Sequence, residues 1–80
     1  MKESYFYGTT LMAVRIDYDG GNYPIYIGEA MAGTLDATVK WRIKKLTWSG
    51  TKNTAVEWAS GNSNRDKSWD HRKDATYAYS

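Results

Sequence analysis

The chain carries the same strand–turn–strand pattern twice, and the two copies fill most of its 80 residues. The first copy, residues 15–30, places Asp-Gly-Gly-Asn between two stretches that contain Ile and Tyr. The second copy, residues 44–61, places Ser-Gly-Thr-Lys-Asn between stretches that contain Leu, Val and Trp. Glycine and asparagine tolerate the positive φ that tight hairpin turns need. The pattern therefore predicts two antiparallel hairpins and leaves little chain to build a catalytic pocket.

The two hairpins predict an all-β fold, a small antiparallel sandwich or open barrel that a short C-terminal strand at residues 76–80 completes. We expect one β-rich domain over residues 1–80, with an N-terminal arm at 1–8 and a charged loop or short helix at 62–76. Alternation of apolar side chains predicts the core. The expected core consists of Val14, Ile16, Ile25, Ile27, Val39, Trp41, Ile43, Leu46, Trp48, Val56 and Trp58, with Trp69 folded back over one open end.

Apolar alternation changes phase within the strand predicted over residues 39–48. Trp41 and Ile43 share one face, whereas Leu46 and Trp48 fall on the other. A β-bulge at residues 44–45 would return all four side chains to one face. The alternative is a strand that is buried on both sides over part of its length.

Composition limits the ways in which so short a chain can be stabilised. It contains no cysteine and one histidine, which excludes disulfides and argues against a zinc site. Small domains that lack both are often supported by oligomerisation or by docking into a larger assembly. No apolar run is typical of a signal peptide or a membrane span, so we expect cytoplasmic synthesis and no membrane partner. A net charge of +2 is too small to indicate nucleic-acid binding by itself.

Aromatic residues make up 15% of the chain, and such residues are enriched at the centres of protein interfaces. We therefore predict a protein interface that also draws on the charged segment. Its candidate residues are Tyr5, Phe6, Tyr7, Arg65, Asp66, Asp70, Arg72, Tyr77 and Tyr79. The alternative for each of them is local packing within the domain.

Two groups of acidic residues are candidates for a metal or catalytic site. Residues 17–22 resemble the start of a calcium loop, but no Glu follows at the twelfth position and strands flank the turn. Asp66, Asp70 and Asp74 recur every four residues beside His71, yet arginine and lysine alternate with them. A salt-bridged segment explains this pattern better than acid–base chemistry. We therefore expect no catalytic residue, no metal and no cofactor.

Residues 41–48 combine tryptophan with arginine and lysine, the pairing that binds single-stranded nucleic acid. The rings are expected on the apolar face, opposite Arg42 and Lys44. A core role is therefore favoured over nucleic-acid binding.

Several motifs in a fixed order resemble a family of short proteins encoded in tailed-bacteriophage genomes, which are uncharacterised or virion structural proteins. The motifs are Tyr-Ile-Gly-Glu-Ala at 26–30, Trp-Arg-Ile-Lys-Lys-Leu-Thr at 41–47, Glu-Trp-Ala-Ser-Gly-Asn-Ser-Asn at 57–64, Asp-Lys-Ser-Trp-Asp-His-Arg at 66–72 and Tyr-Ala-Tyr-Ser at 77–80. The resemblance covers residues 16–80. It departs at Arg65, where the family has an aromatic residue, and at Ser68, where it has an apolar one.

This resemblance implies a non-enzymatic virion structural protein, a small accessory or decoration protein of the capsid or tail. Its partners would be other virion proteins, and it would be present in many copies or as a homo-oligomer. It would be made in the host cytoplasm and reside in the virion. The resemblance implies no catalytic residue and no cofactor. The alternative hypothesis is a small β module that binds carbohydrate or nucleic acid.

Overall fold

The computed structural model describes residues 11–80 and has the all-β fold that the hairpin pattern predicts. Four strands form one open antiparallel sheet in the order β1-β2-β3-β4, so each strand pairs with the next along the chain. They are β1 (Met12–Asp17), β2 (Tyr26–Met31), β3 (Arg42–Ser49) and β4 (Lys52–Trp58). In the part of the chain described, no helix is long and apolar enough to cross a membrane.

Both hairpin turns use the left-handed backbone that their glycines favour. In the first turn Asp19 and Gly20 have φ of 51° and 81°. In the second turn Gly50 has φ of 62°, and only Gly50 and Thr51 separate β3 from β4. Positive φ is readily accessible to glycine and tolerated by aspartate, which explains the turn positions. The first connection is longer than expected, because β2 begins at Tyr26 rather than directly after the turn.

The predicted bulge at residues 44–45 is wrong. Lys44 and Lys45 pair in regular register with β4, and the register shift lies further along, between Thr47 and Trp48. Thr54 is the additional residue in β4 at that shift. β3 therefore keeps its phase and contributes apolar side chains to both faces of the sheet.

One face of the sheet, the covered face, carries the core. Residues 65–80, the cover segment, lie against it and include two short 3-10 helices, Trp69–His71 and Ala75–Tyr77. Trp41 and Ile43, both expected in the core, are completely buried. The buried hydrophobic side chains are Tyr26, Ala30, Trp41, Ile43, Ala59 and Trp69.

The opposite face, the open face, has no second layer within residues 11–80. Its apolar side chains are Met12, Val14, Ile16, Ile27, Met31, Leu46, Val56 and Trp58. Val14, Ile16 and Val56 were expected in the core, but they are 48%, 51% and 50% exposed. Val39, in the loop before β3, is also exposed. The predictions for Val14, Ile16 and Val56 are wrong because the cover segment lies on the other side of the sheet, and the prediction for Val39 is wrong because this residue lies in a loop. Three further residues that were expected in the core also lie on the open face and are only partly buried: Ile27, Leu46 and Trp58.

The C-terminal strand is shorter than the alternation over residues 76–80 predicts. Tyr79 forms a single antiparallel bridge with Ala59. Trp58 and Ser80 exchange two backbone hydrogen bonds of 3.1 Å each. The end of the chain therefore extends the sheet beyond β4 for only a few residues.

Candidate functional site

Trp69 anchors the cover segment at the middle of the sheet rather than over an open end. Its side chain is 5% exposed, and its ring centroid lies 6.2 Å from that of Trp41. The ring occupies the space above Gly28, where an added Cβ would lie 2.6 Å from Trp69 Cε3. A glycine inside a strand often marks such a close approach. The absence of a side chain at Gly28 thus makes room for the Trp69 ring.

Arg72 joins the cover segment to β1. Its Nε donates to Oδ2 of Asp17 at 2.8 Å, and its Nη1 donates to the Trp69 carbonyl at 3.1 Å. The guanidinium carbon lies 4.5 Å from the Trp69 ring centroid, within the range of a cation–π contact. The Tyr79 hydroxyl donates to the Arg72 carbonyl at 2.7 Å. Burial raises the pKa of Tyr79, because the charged phenolate would lose hydration.

The predicted interface residues fall into three groups. Tyr5, Phe6 and Tyr7 lie outside the described residues. Arg65, Asp66 and Asp70 are exposed, whereas Arg72, Tyr77 and Tyr79 are partly buried in contacts within the chain. The Tyr77 hydroxyl, for example, accepts from the buried Ser68 amide at 2.8 Å. The geometry gives Arg72, Tyr77 and Tyr79 a packing role, and the interface role of all nine residues stays a prediction.

The calcium-like loop is tied to the cover segment by ion pairs. Oδ1 of Asp17 accepts from the Asp19 amide at 2.8 Å, while its Oδ2 binds Arg72. Lys73 Nζ lies 2.6 Å from Oδ1 of Asp19. Two hydrogen bonds lower the pKa of Asp17, and the one from Arg72 has a larger effect than the one from the Asp19 amide. Protein cations thus already engage the carboxylates that a calcium ion would need.

The acidic residues of the cover segment do not converge on one site. Asp66 pairs with the neighbouring Lys67. The Asp74 carboxylate accepts from the Thr76 amide at 2.9 Å, which lowers the pKa of Asp74. His71 Nδ1 lies 3.1 Å from Oγ of Ser68. Within residues 11–80 no group of three His, Asp or Glu side chains could hold a metal ion.

The open face also carries a basic and aromatic area on β3 and β4. Arg42 Nε donates to Oε1 of Glu29 at 2.7 Å. The Arg42 guanidinium and the Lys44 amine lie 5.9 Å and 5.6 Å from the Trp58 ring centroid. Trp41 lies opposite Arg42 and Lys44, as expected, but Trp48 does not, because β3 keeps its phase. Trp58 also shares the face of the two basic residues. The pairing of Lys44 with Trp58 follows from the hairpin register, which the sequence alone did not establish.

A shallow pocket of about 420 Å³ lies at the end of β2. Its lining consists of Met31, Ala32, Gly33, Thr34, Lys40 and Arg65. None of these described residues is an aspartate, glutamate or histidine. Lys40 and Arg65 are exposed, and the partly buried Thr34 donates its hydroxyl to the Met31 carbonyl at 2.7 Å. The pocket therefore lacks a partly buried charged group that could fix a ligand.

The Asp17–Arg72 contact makes a prediction about stability and pH. Asp17→Asn should lower the free energy of unfolding by about 1 kcal/mol at pH 7, since it removes a charge-assisted hydrogen bond. The folded-state pKa of Asp17 is below its ordinary value. The contribution of Asp17 to the free energy of unfolding is therefore complete at neutral pH and is lost as the pH falls below about 4. Urea titrations from pH 7 to pH 2.5 should show the difference between the two proteins shrinking.

Asp36→Asn provides the matched control for this prediction. Asp36 pairs with Arg15 at 3.0 Å, but both side chains are over 40% exposed. Such an exposed pair contributes only a few tenths of a kcal/mol. An equal loss in the two variants would contradict the special role of Asp17.

The side chains thus divide between two faces with different roles. Most polar side chains of the covered face and its cover segment bind other groups within the chain, as Arg72 binds Asp17. The open face keeps apolar side chains and a basic, aromatic area at the surface. No protein-family model, curated protein or solved structure matches the chain.

Proposed function

We propose that this protein is a non-enzymatic structural component of a tailed-bacteriophage particle. It would be a small accessory or decoration protein of the capsid or tail that binds other virion proteins. The resemblance over residues 16–80 supports a role in the virion. The protein would be made in the host cytoplasm before it assembles into the particle. The open face is the observation that carries the proposed mode of action, which is contact between protein surfaces.

The open face is large enough to act as a docking surface. Four strands about 4.8 Å apart, with six to eight residues of about 3.3 Å each, give roughly 400 Å² of sheet. Val14, Ile16, Met31 and Val56 are each about half exposed on this face. The largest contiguous apolar patch on a typical soluble protein is about 300–600 Å² and is often functional. Covering these side chains with a neighbouring protein would stabilise the small domain.

Repetition in a particle would strengthen such contacts. A face of this size is smaller than the roughly 800 Å² per partner of a standard stable interface. Copies that also contact one another on the particle are held by several contacts at once, so that weak individual contacts combine into stronger retention. A multicopy position on a capsid or tail therefore suits a small open sheet.

The location in the particle tests this proposal directly. Heads and tails from purified phage would be separated and analysed by quantitative mass spectrometry. We expect the protein in one of the two fractions, in a constant ratio to the major protein of that fraction. Detection in infected-cell lysate but never in particles would reject the virion role.

A substitution on the open face tests how the protein is retained. A phage that encodes Ile16→Lys should carry at least about tenfold less of the protein per particle, because docking would then bury an unpaired charge. Val39→Lys is the matched control, since Val39 is 55% exposed in a loop outside the sheet. Equal occupancy of both variants would reject the open face as the contact surface.

A second candidate function is supported by the basic and aromatic area of the open face. Trp58 beside Arg42 and Lys44 could stack on the bases of a single-stranded nucleic acid. Glu29 already pairs with Arg42, which leaves less positive charge for phosphates and favours protein contact. Tryptophan fluorescence during titration with an oligonucleotide or a glycan would separate the two functions. A salt-dependent change that Trp58→Leu removes would support nucleic acid, and no change at saturation would argue against a ligand-binding module.

A further inference from the structure

Among the described residues, 11–80, no strand pairs with the outer edge of β1. The Ala32 amide donates to the Leu11 carbonyl at 3.0 Å, which places the first ladder bond at an odd-numbered residue of β1. Only alternate residues of an edge strand bond to the neighbouring strand. The amides and carbonyls of Met12, Val14 and Ile16 therefore point away from β2. Within residues 11–80 the one contact to these groups is from Arg15 Nη1 to the Val14 carbonyl, at 3.3 Å.

The opposite edge of the sheet is protected. Trp58 exchanges two backbone hydrogen bonds with Ser80, and the Ser60 amide donates to the Ala78 carbonyl at 2.9 Å. The register shift at Thr54 interrupts the rest of β4. Natural sheets commonly block edges with bulges, prolines or lysines. β1 contains no proline and no lysine. Its three residues whose backbone groups point away from β2 are all apolar, and Arg15 and Asp17 lie on the covered face.

We propose that two copies of the chain associate through this edge, with β1 pairing antiparallel to β1 of the second copy about a two-fold axis at Val14. This inference goes beyond the virion role and does not depend on it. In this register Val14 lies opposite the partner's Val14, and Met12 lies opposite the partner's Ile16. Both pairs place apolar side chains together on the open face, as stable cross-strand pairs require.

The charges of β1 favour this register. An axis at Arg15 would place two guanidinium groups directly opposite each other, which is unfavourable. An axis at Val14 instead places each Arg15 opposite an alanine. Arg15 and Asp17 are already paired with Asp36 and Arg72, so neither brings an unpaired charge to the edge. The small net charge of +2 per chain adds little repulsion between two copies.

The pairing would double the four-stranded sheet and join two open faces into one surface. Met12, Val14 and Ile16 would then lie at the centre of that surface instead of its margin. An edge contact of six residues buries less area than a standard dimer interface of about 800 Å² per partner. We therefore expect a dissociation constant in the range of about 10–100 µM.

Sedimentation equilibrium of the full-length protein between about 5 µM and 1 mM tests the dimer across that affinity range. Val14→Lys should weaken dimerisation at least about tenfold, because it sets two ammonium groups side by side at the axis. Val56→Lys is the control. Val56 is 50% exposed against 48% for Val14, lies on the same face, and points its backbone groups outward from β4. The control should dimerise like the unchanged protein.

Hydrogen exchange adds a test that needs no variant. The amides of Met12, Val14 and Ile16 should become protected as the protein concentration rises through the dissociation constant. Protection that is the same at every concentration would overturn the proposal, because pairing within one chain, for example with residues 1–10, would then occupy the edge. A protein that stays monomeric at about 1 mM in any hydrodynamic measurement would overturn the proposal as well. Equal loss of dimer in both lysine variants would indicate face-to-face packing and would also overturn it.

Discussion

Trp69→Ala is expected to lower the free energy of unfolding by about 3–5 kcal/mol, the usual loss for a large buried aromatic side chain. Trp69 is 5% exposed and packs against Trp41 and the backbone of Gly28. Arg72 also stacks on its ring, so the substitution loosens the contact between the cover segment and β1. A domain of this length has a total stability of about 4–12 kcal/mol, so the loss removes a large part of it.

Urea unfolding followed by far-ultraviolet circular dichroism measures this effect without relying on tryptophan fluorescence. Trp58→Ala is the control, because Trp58 lies on the open face and is only partly buried. Its loss should be about 1–2 kcal/mol, in proportion to the smaller apolar area that leaves contact. Trp69→Phe should recover part of the stability and keeps the test informative if Trp69→Ala does not fold. Equal losses at Trp69 and Trp58 would mean that the cover segment contributes no special stability.

The hairpins could be predicted from the sequence because their determinants are local. Gly20 and Gly50 supply the positive φ of the two turns, and apolar residues alternate on both sides of each turn. Trp41 and Ile43 could also be assigned to the core from this alternation. These features depend on neighbours in sequence, and so the sequence alone is sufficient to find them.

The choice of covered face could not be predicted, because distant contacts decide it. In β1 the more apolar set of side chains includes Val14 and Ile16, yet the sheet covers the face that carries Arg15 and Asp17. Asp17 is held there by Arg72, which is 55 residues away in the sequence. Alternation identifies two faces, but it does not reveal which one meets the cover segment.

Two sequence signals could have indicated more of the candidate site. Gly28 lies inside a strand without a turn, which is typical of a position where a bulky group approaches the backbone. β1 lacks proline and lysine, the residues that commonly block an exposed edge. The pairing of Lys44 with Trp58, in contrast, depends on a register that only the structure provides.

Gly28→Ala should lower the free energy of unfolding by about 2–3 kcal/mol, since it overpacks the closest contact in the core. The added Cβ would lie 2.6 Å from Cε3 and 2.9 Å from Cζ3 of Trp69, and 3.2 Å from Cε3 of Trp41. The buried Trp69 ring has little room to move, because Trp41 and Arg72 also contact it. Urea unfolding of the purified variant measures the loss.

Gly21→Ala is the matched control for this substitution. Its added Cβ would have only an ordinary contact, 3.5 Å from the Tyr18 carbonyl oxygen. Neither Gly21 nor Gly28 has a positive φ, so backbone strain does not distinguish the two sites. The control should therefore change the stability by no more than about 0.5 kcal/mol.

A double-mutant cycle identifies the source of the loss at Gly28. In the background of Trp69→Leu the two closest ring atoms are gone, so Gly28→Ala should cost less than about 1 kcal/mol there. The difference between the two backgrounds measures the coupling between the new methyl group and the indole ring. If Gly28→Ala costs the same in both backgrounds, the close approach of Trp69 is not what requires glycine in β2. The seating of the cover segment on the sheet would then need a different explanation.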